Sequence, residues 1–285
     1  ERIYATKRRS FLPAEPARLI RAGEFSNPVV CLGEVHSNPL HHRLQFRVIK
    51  ALHQACLVRN EPFSIGLEMA YRQHQAALDR FVNVHGNLAA LKSETSWDRT
   101  WGWDFNNYSK IFQYARVHGI PLVGLNLPRE LVALVSQKGL DGLPDKLKAS
   151  RIRRRFAVMP EMDLTNVNHK NRFKEMMAPM ERFHGKLPPE VMDRFYQSQT
   201  LWEEYMAESA AHHVAKVGGT TAVLAGVAHI AYRDGLPDRI ARRIGVAPFT
   251  VVPDSVAWTT VDGSGLPDVE TPPGPNVADW VSDGV

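Results

Sequence analysis

Polar side chains of the kinds used in acid–base and metal chemistry follow four short apolar runs of this sequence. The runs lead into Glu34, Glu68, Asn126 and His229, and a glycine precedes each of these residues by one to three positions. In open parallel sheets, ligands bind beyond the carboxyl ends of the strands. Glycine at such an end lets backbone or ligand approach closely. The four endings therefore predict one shared ligand site.

The first ending carries the densest set of reactive side chains. Glu34 and His36 are two residues apart, so a persisting strand would place both on the same face. His41, His42 and Gln45 follow on the next predicted helix, where they lie within about one turn of each other. Glutamate with histidines can ligate a borderline metal ion and can equally act as an acid–base set. Any one of these residues alone more often has a structural role. A metal site, an acid–base set and a purely structural role therefore all remain open for this group.

Five apolar runs of strand length are bounded by glycine, proline or polar residues and show no polar alternation, which is typical of buried parallel strands. They are Pro28–Gly33, Phe63–Leu67, Pro121–Leu125, Thr220–Ala225 and Phe249–Val252. Amphipathic patterns between them predict helices at Pro39–Val58, Tyr71–Val82, Tyr108–His118, Arg129–Gln137, Pro189–Val217 and Leu236–Ile244. The alternation predicts an α/β fold with a mostly parallel central sheet flanked by helices.

The predicted α/β domain spans residues 28–253 and has distinct flanks. Residues 1–27 form a basic lead-in with a short helix near Pro16–Ala22, and residues 254–285 form a loosely packed arm rich in Gly, Pro and Asp. Residues 146–186, rich in Met and Arg, break the strand–helix rhythm and are interpreted as a helical excursion, of the kind that makes a lid or a dimer arm.

Composition limits the classes of partner. The net charge of +5 favours anionic ligands or lipid surfaces but is too small to indicate nucleic acid, and no RNA-binding motif is present. No apolar run is long enough to span a membrane. The two cysteines, Cys31 and Cys56, lie in apolar segments and are predicted to be buried free thiols. The chain begins with Glu1, so we expect that an N-terminal signal or transit segment, of a kind that can give membrane association, has been removed.

Five segments together resemble the ChaN-like haem-binding proteins, also known as iron-regulated lipoproteins. This family belongs to a superfamily with Tiki-type metalloproteases and erythromycin-esterase-like proteins. The resemblance covers residues 28 to 252 and departs from the usual pattern at Trp202–Met206 and at Arg233-Asp234. The segments are LGEVHSNPLHHRLQ, GLEMAYRQHQAALDRFV, GLNLPRELV, YQSQTLWEEYMAESAA and LAGVAHIAYRDGLPDRIARR.

The resemblance implies haem binding in haem or iron handling, with haems held face to face between two subunits of a homodimer and a tyrosine as axial ligand. Tyr232 is the first candidate for that ligand and Tyr71 the second. It also implies a plastid or bacterial-envelope location. The residues on the family's motif positions are Glu34, His36, His42, Glu68, Gln75, Asn126, Arg129, His229 and Tyr232. Arg129, Lys146 or Arg151 would pair with the propionates, and Trp101, Trp103 and Tyr108 would cover the haem face.

A metal-dependent or acid–base hydrolase is the alternative function. Its metal ligands, for Zn, Mn or Co, would come from Glu34, His36, Glu68 and His229. Its general base would be Glu34 or Glu68, with His36 and His229 as metal ligands or oxyanion stabilisers. A scaffold that only binds partners is a third interpretation. Haem requires a wide apolar opening, whereas a hydrolase requires a narrow polar cleft, so the geometry of the site discriminates between them.

Overall fold

A computed structural model of the chain describes residues 2–5, 10–13, 27–84, 86–143 and 160–253. The lead-in contains an antiparallel hairpin of β1 (Arg2–Ala5) and β2 (Ser10–Pro13). The helix predicted near Pro16–Ala22, the start of the excursion at 146–159 and the arm at 254–285 lie outside the described residues.

Five parallel strands form the central sheet, in the spatial order β5-β4-β6-β3-β7. The strands are β3 (Val29–Glu34), β4 (Phe63–Tyr71), β5 (Leu122–Asn126), β6 (Thr220–Gly226) and β7 (Phe249–Val251). Every residue of β3, β4, β5 and β6 is buried, because helices cover both faces. The fold class predicted from the apolar runs is therefore confirmed.

Helices cover the sheet on both sides. They are α1 (Pro39–Arg59), α2 (Gln75–Asn83), α3 (Leu88–Glu94), α4 (Trp97–Thr100), α5 (Asn106–Val117), α6 (Arg129–Lys138), α7 (Val167–His184), α8 (Pro189–Val217), α9 (Val227–Ile230) and α10 (Leu236–Ile244). Helices α1 to α5 pack on one face of the sheet, through side chains such as Ile49, Trp97 and Phe112. Helices α8 and α10 pack on the other face, through Met206 and Ile240. In the part of the chain described, no helix combines the length and apolar character that crossing a bilayer requires.

Helix α1 begins at a well-formed cap that fixes its register against β3. The side chain of Asn38 accepts a hydrogen bond from the backbone N–H of Leu40, and Pro39 occupies the first turn, where no intrahelical N–H is needed. Asn60 ends the helix in a left-handed conformation. This start directs His42 and Gln45, one turn into the helix, toward the end of β3.

Strand β4 is longer than its apolar run predicts. It continues through Glu68 to Tyr71, because Met69, Ala70 and Tyr71 are all buried, and it pairs with β5 again after a register shift between Leu67 and Tyr71. A short 3-10 turn at Arg72–His74 follows, and α2 begins only at Gln75. The prediction of a helix that begins at Tyr71 was wrong: this tyrosine belongs to the sheet.

Candidate functional site

The carboxylate of Glu34, the last residue of β3, is buried among four polar side chains. Its Oε1 lies 2.9 Å from Nδ1 of His36 and accepts a hydrogen bond from the hydroxyl of Tyr108. Its Oε2 accepts a bond of 2.9 Å from the Gln45 amide and lies 3.4 Å from Nδ1 of His42. Burial raises the pKa of this carboxyl, but the hydrogen bond and charge of His36 outweigh it and hold the pKa below the usual value of 4.5.

The imidazole of His36 lies at the mouth of this cluster, with 13% of its side chain exposed. Its ring makes an edge-to-face contact with Trp101, with 4.6 Å between ring centroids, and Trp103 lies 5.6 Å away. The backbone carbonyl of His36 accepts hydrogen bonds from Nε2 of His42 at 2.9 Å and from Asn107 at 3.3 Å. These contacts fix the direction of the chain as it leaves β3.

A second carboxylate, that of Glu68 in β4, lies at the end of the neighbouring strand. Its Oε1 is 3.2 Å from Nε2 of His229, and its Oε2 accepts a hydrogen bond of 2.5 Å from the backbone N–H of Gly226. The side chain of Asn126 donates to the backbone carbonyl of Glu68 at 2.8 Å, so Asn126 supports the strand. Burial raises the pKa of Glu68, but the charge of His229 and the hydrogen bond with it lower the pKa overall.

Gly226 allows the two carboxylate clusters to meet. A Cβ built on this glycine would lie 2.9 Å from Cε1 of His36 and 3.6 Å from Oε2 of Glu68. The absence of a side chain at the end of β6 therefore leaves the space in which the His36 ring approaches Glu68. In this way the structure brings together Glu34, His36, His42, Glu68 and His229 at the carboxyl edge of the sheet.

His229 lies between two buried carboxylates. Its Nε2 faces Glu68, and its Nδ1 lies 3.1 Å from Oε1 of Glu203, a residue of α8. Burial alone would lower the pKa of this histidine, but the charge of Glu68 and the bonds to Glu203 and Glu68 raise the pKa to about 10. His229 is therefore an imidazolium at neutral pH, and both of its N–H groups point at carboxylates.

The chain of charges continues beyond the predicted site into the opposite helix layer. Oε2 of Glu203 lies 3.1 Å from Nε2 of His169 on α7 and 3.3 Å from Nη1 of Arg239 on α10. All three side chains are buried. Burial raises the pKa of Glu203, but the charges of His169 and Arg239 lower it far more, so the carboxylate stays ionised.

Sequence reasoning missed Glu203, His169 and Arg239 as members of the site. The signal that points to them is the Glu203-Glu204 pair in the buried middle of a long helix, between Trp202 and Tyr205. Two adjacent acids in such surroundings need cationic partners, since buried carboxylates are rarely left unpaired.

Tyr232 lies three residues after His229 and has an unusual backbone. Its φ is +65° and that of Arg233 is +67°, which places two successive non-glycine residues in the left-handed region. The Tyr232 side chain is 68% exposed. The guanidinium carbon of Arg172 on α7 lies 4.5 Å from the centre of its ring. The phenol is thus presented at the protein surface, three residues along the chain from the buried His229.

Tyr71, the second candidate ligand, has a different environment. Its hydroxyl donates a hydrogen bond of 3.2 Å to the carbonyl of Thr100 and accepts one of 3.3 Å from the backbone N–H of Arg129. Its ring stacks on His74, with 5.1 Å between centroids, and is 5% exposed. Burial raises the pKa of this phenol. The structure therefore places the Tyr71 hydroxyl in the interior, where it links β4 to the last residue of α4 and to the start of α6.

The same geometry bears on the metal and hydrolase alternatives. Across the described segments, no group of three or more His, Cys, Asp or Glu residues is arranged to hold a metal ion. The oxygens of Glu34 and Glu68 accept hydrogen bonds from neighbouring residues. The divalent-metal alternative therefore has no support.

Of the cations expected to pair with the haem propionates, Lys146 and Arg151 lie outside the described residues.

Comparison with known proteins relates the fold and the family of this chain to others. Among solved structures, ChaN of Campylobacter jejuni, determined with cofacially bound haem, is 20% identical with a TM-score of 0.64 over 92% of each chain, which shows a shared fold. A succinoglycan biosynthesis protein is 15% identical over 82% of this chain and 69% of its own, with a TM-score of 0.44. An erythromycin esterase is 17% identical over 74% of this chain and 62% of its own, with a TM-score of 0.36. No curated protein matches the chain. Residues 26–240 match the family described as haem-binding uptake, Tiki superfamily, ChaN, and the chain belongs to that family.

Proposed function

We propose that this protein binds haem at the carboxyl edge of its sheet, in haem or iron handling, with Tyr232 as the axial ligand. The observation that carries the proposal is the exposed phenol of Tyr232 on a left-handed turn, three residues along the chain from the buried His229. Membership of the ChaN family supports haem as the ligand. A porphyrin can approach this phenol from solvent, whereas the Tyr71 hydroxyl is held inside the fold.

The start of α7 brings an apolar and a cationic side chain to the Tyr232 turn, which suits an anionic ligand with an apolar face. Val167 follows Asn166, which bonds the carbonyl of Asp234, and is 67% exposed. The guanidinium of Arg172 lies on the Tyr232 ring. A phenolate oxygen is a hard anionic ligand that stabilises ferric haem. The bound group would supply the iron chemistry, and the chain supplies the ligand and its orientation.

We infer in addition that haem is held at a homodimer interface. A ligand on an exposed residue has one face against the protein and one toward solvent. A second subunit would remove that outer apolar face from water, at about 25 cal/mol for each Å² buried. The family resemblance and the exposure of Tyr232 and Val167 support this inference.

The test is a hemin titration of purified protein, followed by its Soret and visible absorption. Wild type should bind at a fixed stoichiometry with a tyrosinate-type ferric spectrum. Tyr232→Phe should lose that spectrum and bind at least about ten-fold more weakly, since loss of even an outer-shell partner of a metal ligand costs that much. Tyr71→Phe, the same substitution at a buried tyrosine, is the matched control and should keep the wild-type spectrum.

Two outcomes would contradict the assignment. An unchanged spectrum in Tyr232→Phe would remove this residue as the ligand. Absence of any Soret shift in wild type at stoichiometric hemin would remove haem itself. Sedimentation velocity on the same samples tests the dimer: hemin should convert wild type to a species of twice the mass, and a monomer with bound hemin would refute the shared interface.

A further inference from the structure

The turn that carries Tyr232 requires outside support. Tyr232 and Arg233 both have positive φ, a conformation that side chains with a Cβ disfavour. Strained residues of this kind persist only where the surrounding structure over-determines them. The contacts of the next two residues, Asp234 and Gly235, show which parts of the fold supply that support.

Helix α7 and its cap fasten the turn from one side. The Nε of Arg172 donates a hydrogen bond of 2.6 Å to Oδ2 of Asp234, and a terminal nitrogen of the same guanidinium contacts the same oxygen. The side chain of Asn166, the N-cap of α7, donates to the backbone carbonyl of Asp234 at 3.4 Å. Both residues come from the segment that interrupts the strand–helix alternation.

The buried cluster fastens the turn from the other side. Arg239 donates to the carbonyls of Asp234 at 3.2 Å and Gly235 at 3.3 Å. A Cβ on Gly235 would lie 2.7 Å from the carbonyl oxygen of His229 and 3.0 Å from Oε1 of Glu203. The chain after Tyr232 is thus fixed to the interior.

The side chain of Arg172 contacts both the anchor of the turn, Asp234, and the phenol ring of Tyr232. Its guanidinium bonds Asp234 and lies 4.5 Å from the centre of the Tyr232 ring. This distance is within the range of a cation–π interaction. We propose that Arg172 is a positioning residue, which holds the Tyr232 ring outward so that its oxygen faces an incoming ligand. The part of this inference that concerns haem rests on the proposed function, and the part that concerns the turn does not.

The first experiment uses the protein without haem. Arg172→Gln should increase hydrogen–deuterium exchange at the backbone amides of residues 231–235, because the turn loses its ion pair and its ring contact. Arg182→Gln, at an exposed position on the same helix, is the matched control and should leave that exchange unchanged. Wild-type exchange rates in Arg172→Gln would overturn the inference, whatever the protein does with haem.

The second experiment measures haem transfer from loaded protein to an excess of apomyoglobin. Arg172→Gln should release haem roughly two- to five-fold faster, the factor that corresponds to an exposed cation–π contact. Its tyrosinate vibrations in the resonance Raman spectrum should broaden or shift. Arg172→Lys keeps the positive charge but not the planar guanidinium. It should therefore bring the haem release rate closer to the wild-type value than it brings the amide exchange of the turn.

The two proposals fail in different ways. Faster amide exchange in Arg172→Gln with an unchanged release rate and Raman spectrum would overturn the role of Arg172 toward the ligand. A wild-type protein that lacks the tyrosinate spectrum would overturn the proposed function, while the amide exchange would still decide the role of Arg172 in the turn.

Discussion

Replacement of His229 by glutamine should flatten the pH dependence of stability. The folded-state pKa of His229 is about 10, against 6.5 for the free side chain. Between these two values the folded protein holds a proton that the unfolded chain has released. The stabilisation is therefore complete below pH 6.5 and is lost as pH rises toward 10.

The size of the effect follows from one extra bound proton. Each pH unit changes the free energy of unfolding by about 1.4 kcal/mol while only the folded state holds that proton. Between pH 7 and pH 9, wild type should lose about 3 kcal/mol more than His229→Gln. His118→Gln controls for the loss of a histidine, because His118 is exposed and precedes β5 at the opposite edge of the sheet.

Urea unfolding at pH 7, 8 and 9 gives the free energies for all three proteins. Equal losses in wild type and His229→Gln, within about 1 kcal/mol, would refute the assignment of a buried imidazolium. The ¹⁵N shifts of the His229 ring in wild type give the same answer without a substitution. A neutral ring at pH 8 would show that Glu68 and Glu203 do not hold the proton.

Three further substitutions or probes test the packing of the site and the core. Gly226→Ala should cost about 1–3 kcal/mol in urea unfolding, because the new Cβ displaces the His36 ring; wild-type stability would show that the ring moves freely. Burial raises the pKa of the Cys31 thiol to about 12, so a thiol reagent should label neither it nor Cys56 before unfolding; labelling of native protein would contradict this. Trp97→Ala should lose about 3–5 kcal/mol, and Val58→Ala, at an 88% exposed position, should lose almost nothing.

The strands could be located from the sequence because buried parallel strands are apolar along their whole length. Among the five strands of the central sheet, only the end of β4 was misplaced by more than one residue, since a buried Glu68 interrupts the apolar run and hides its continuation to Tyr71. The hairpin of β1 and β2 in the lead-in was not predicted. The order of the strands could not be obtained in the same way. The pairing of β6 with both β3 and β4 depends on contacts across more than a hundred residues, which no local pattern encodes.

The candidate site was likewise predictable only where a local sequence pattern marks its residues. Glu34, Glu68 and His229 were identifiable because each stands where an apolar run ends. Glu203 and Arg239 were not, because a charged residue on a helix is usually exposed, and only the packed fold shows which ones are buried. The charge states of the site residues depend on Glu203 and Arg239. The sequence therefore predicted the location of the site but not which of its residues are protonated.

The position of β6 has a consequence for synthesis of the chain. Strands β3 and β4 emerge early, but β6, which fills the gap between them, begins only at Thr220. A nascent chain that stops short of that residue exposes two facing strand edges with no partner. Such edges are templates for intermolecular pairing. Ribosome-bound chains that end before Thr220 should therefore require chaperone protection, and completion of β6 should release them in one cooperative step.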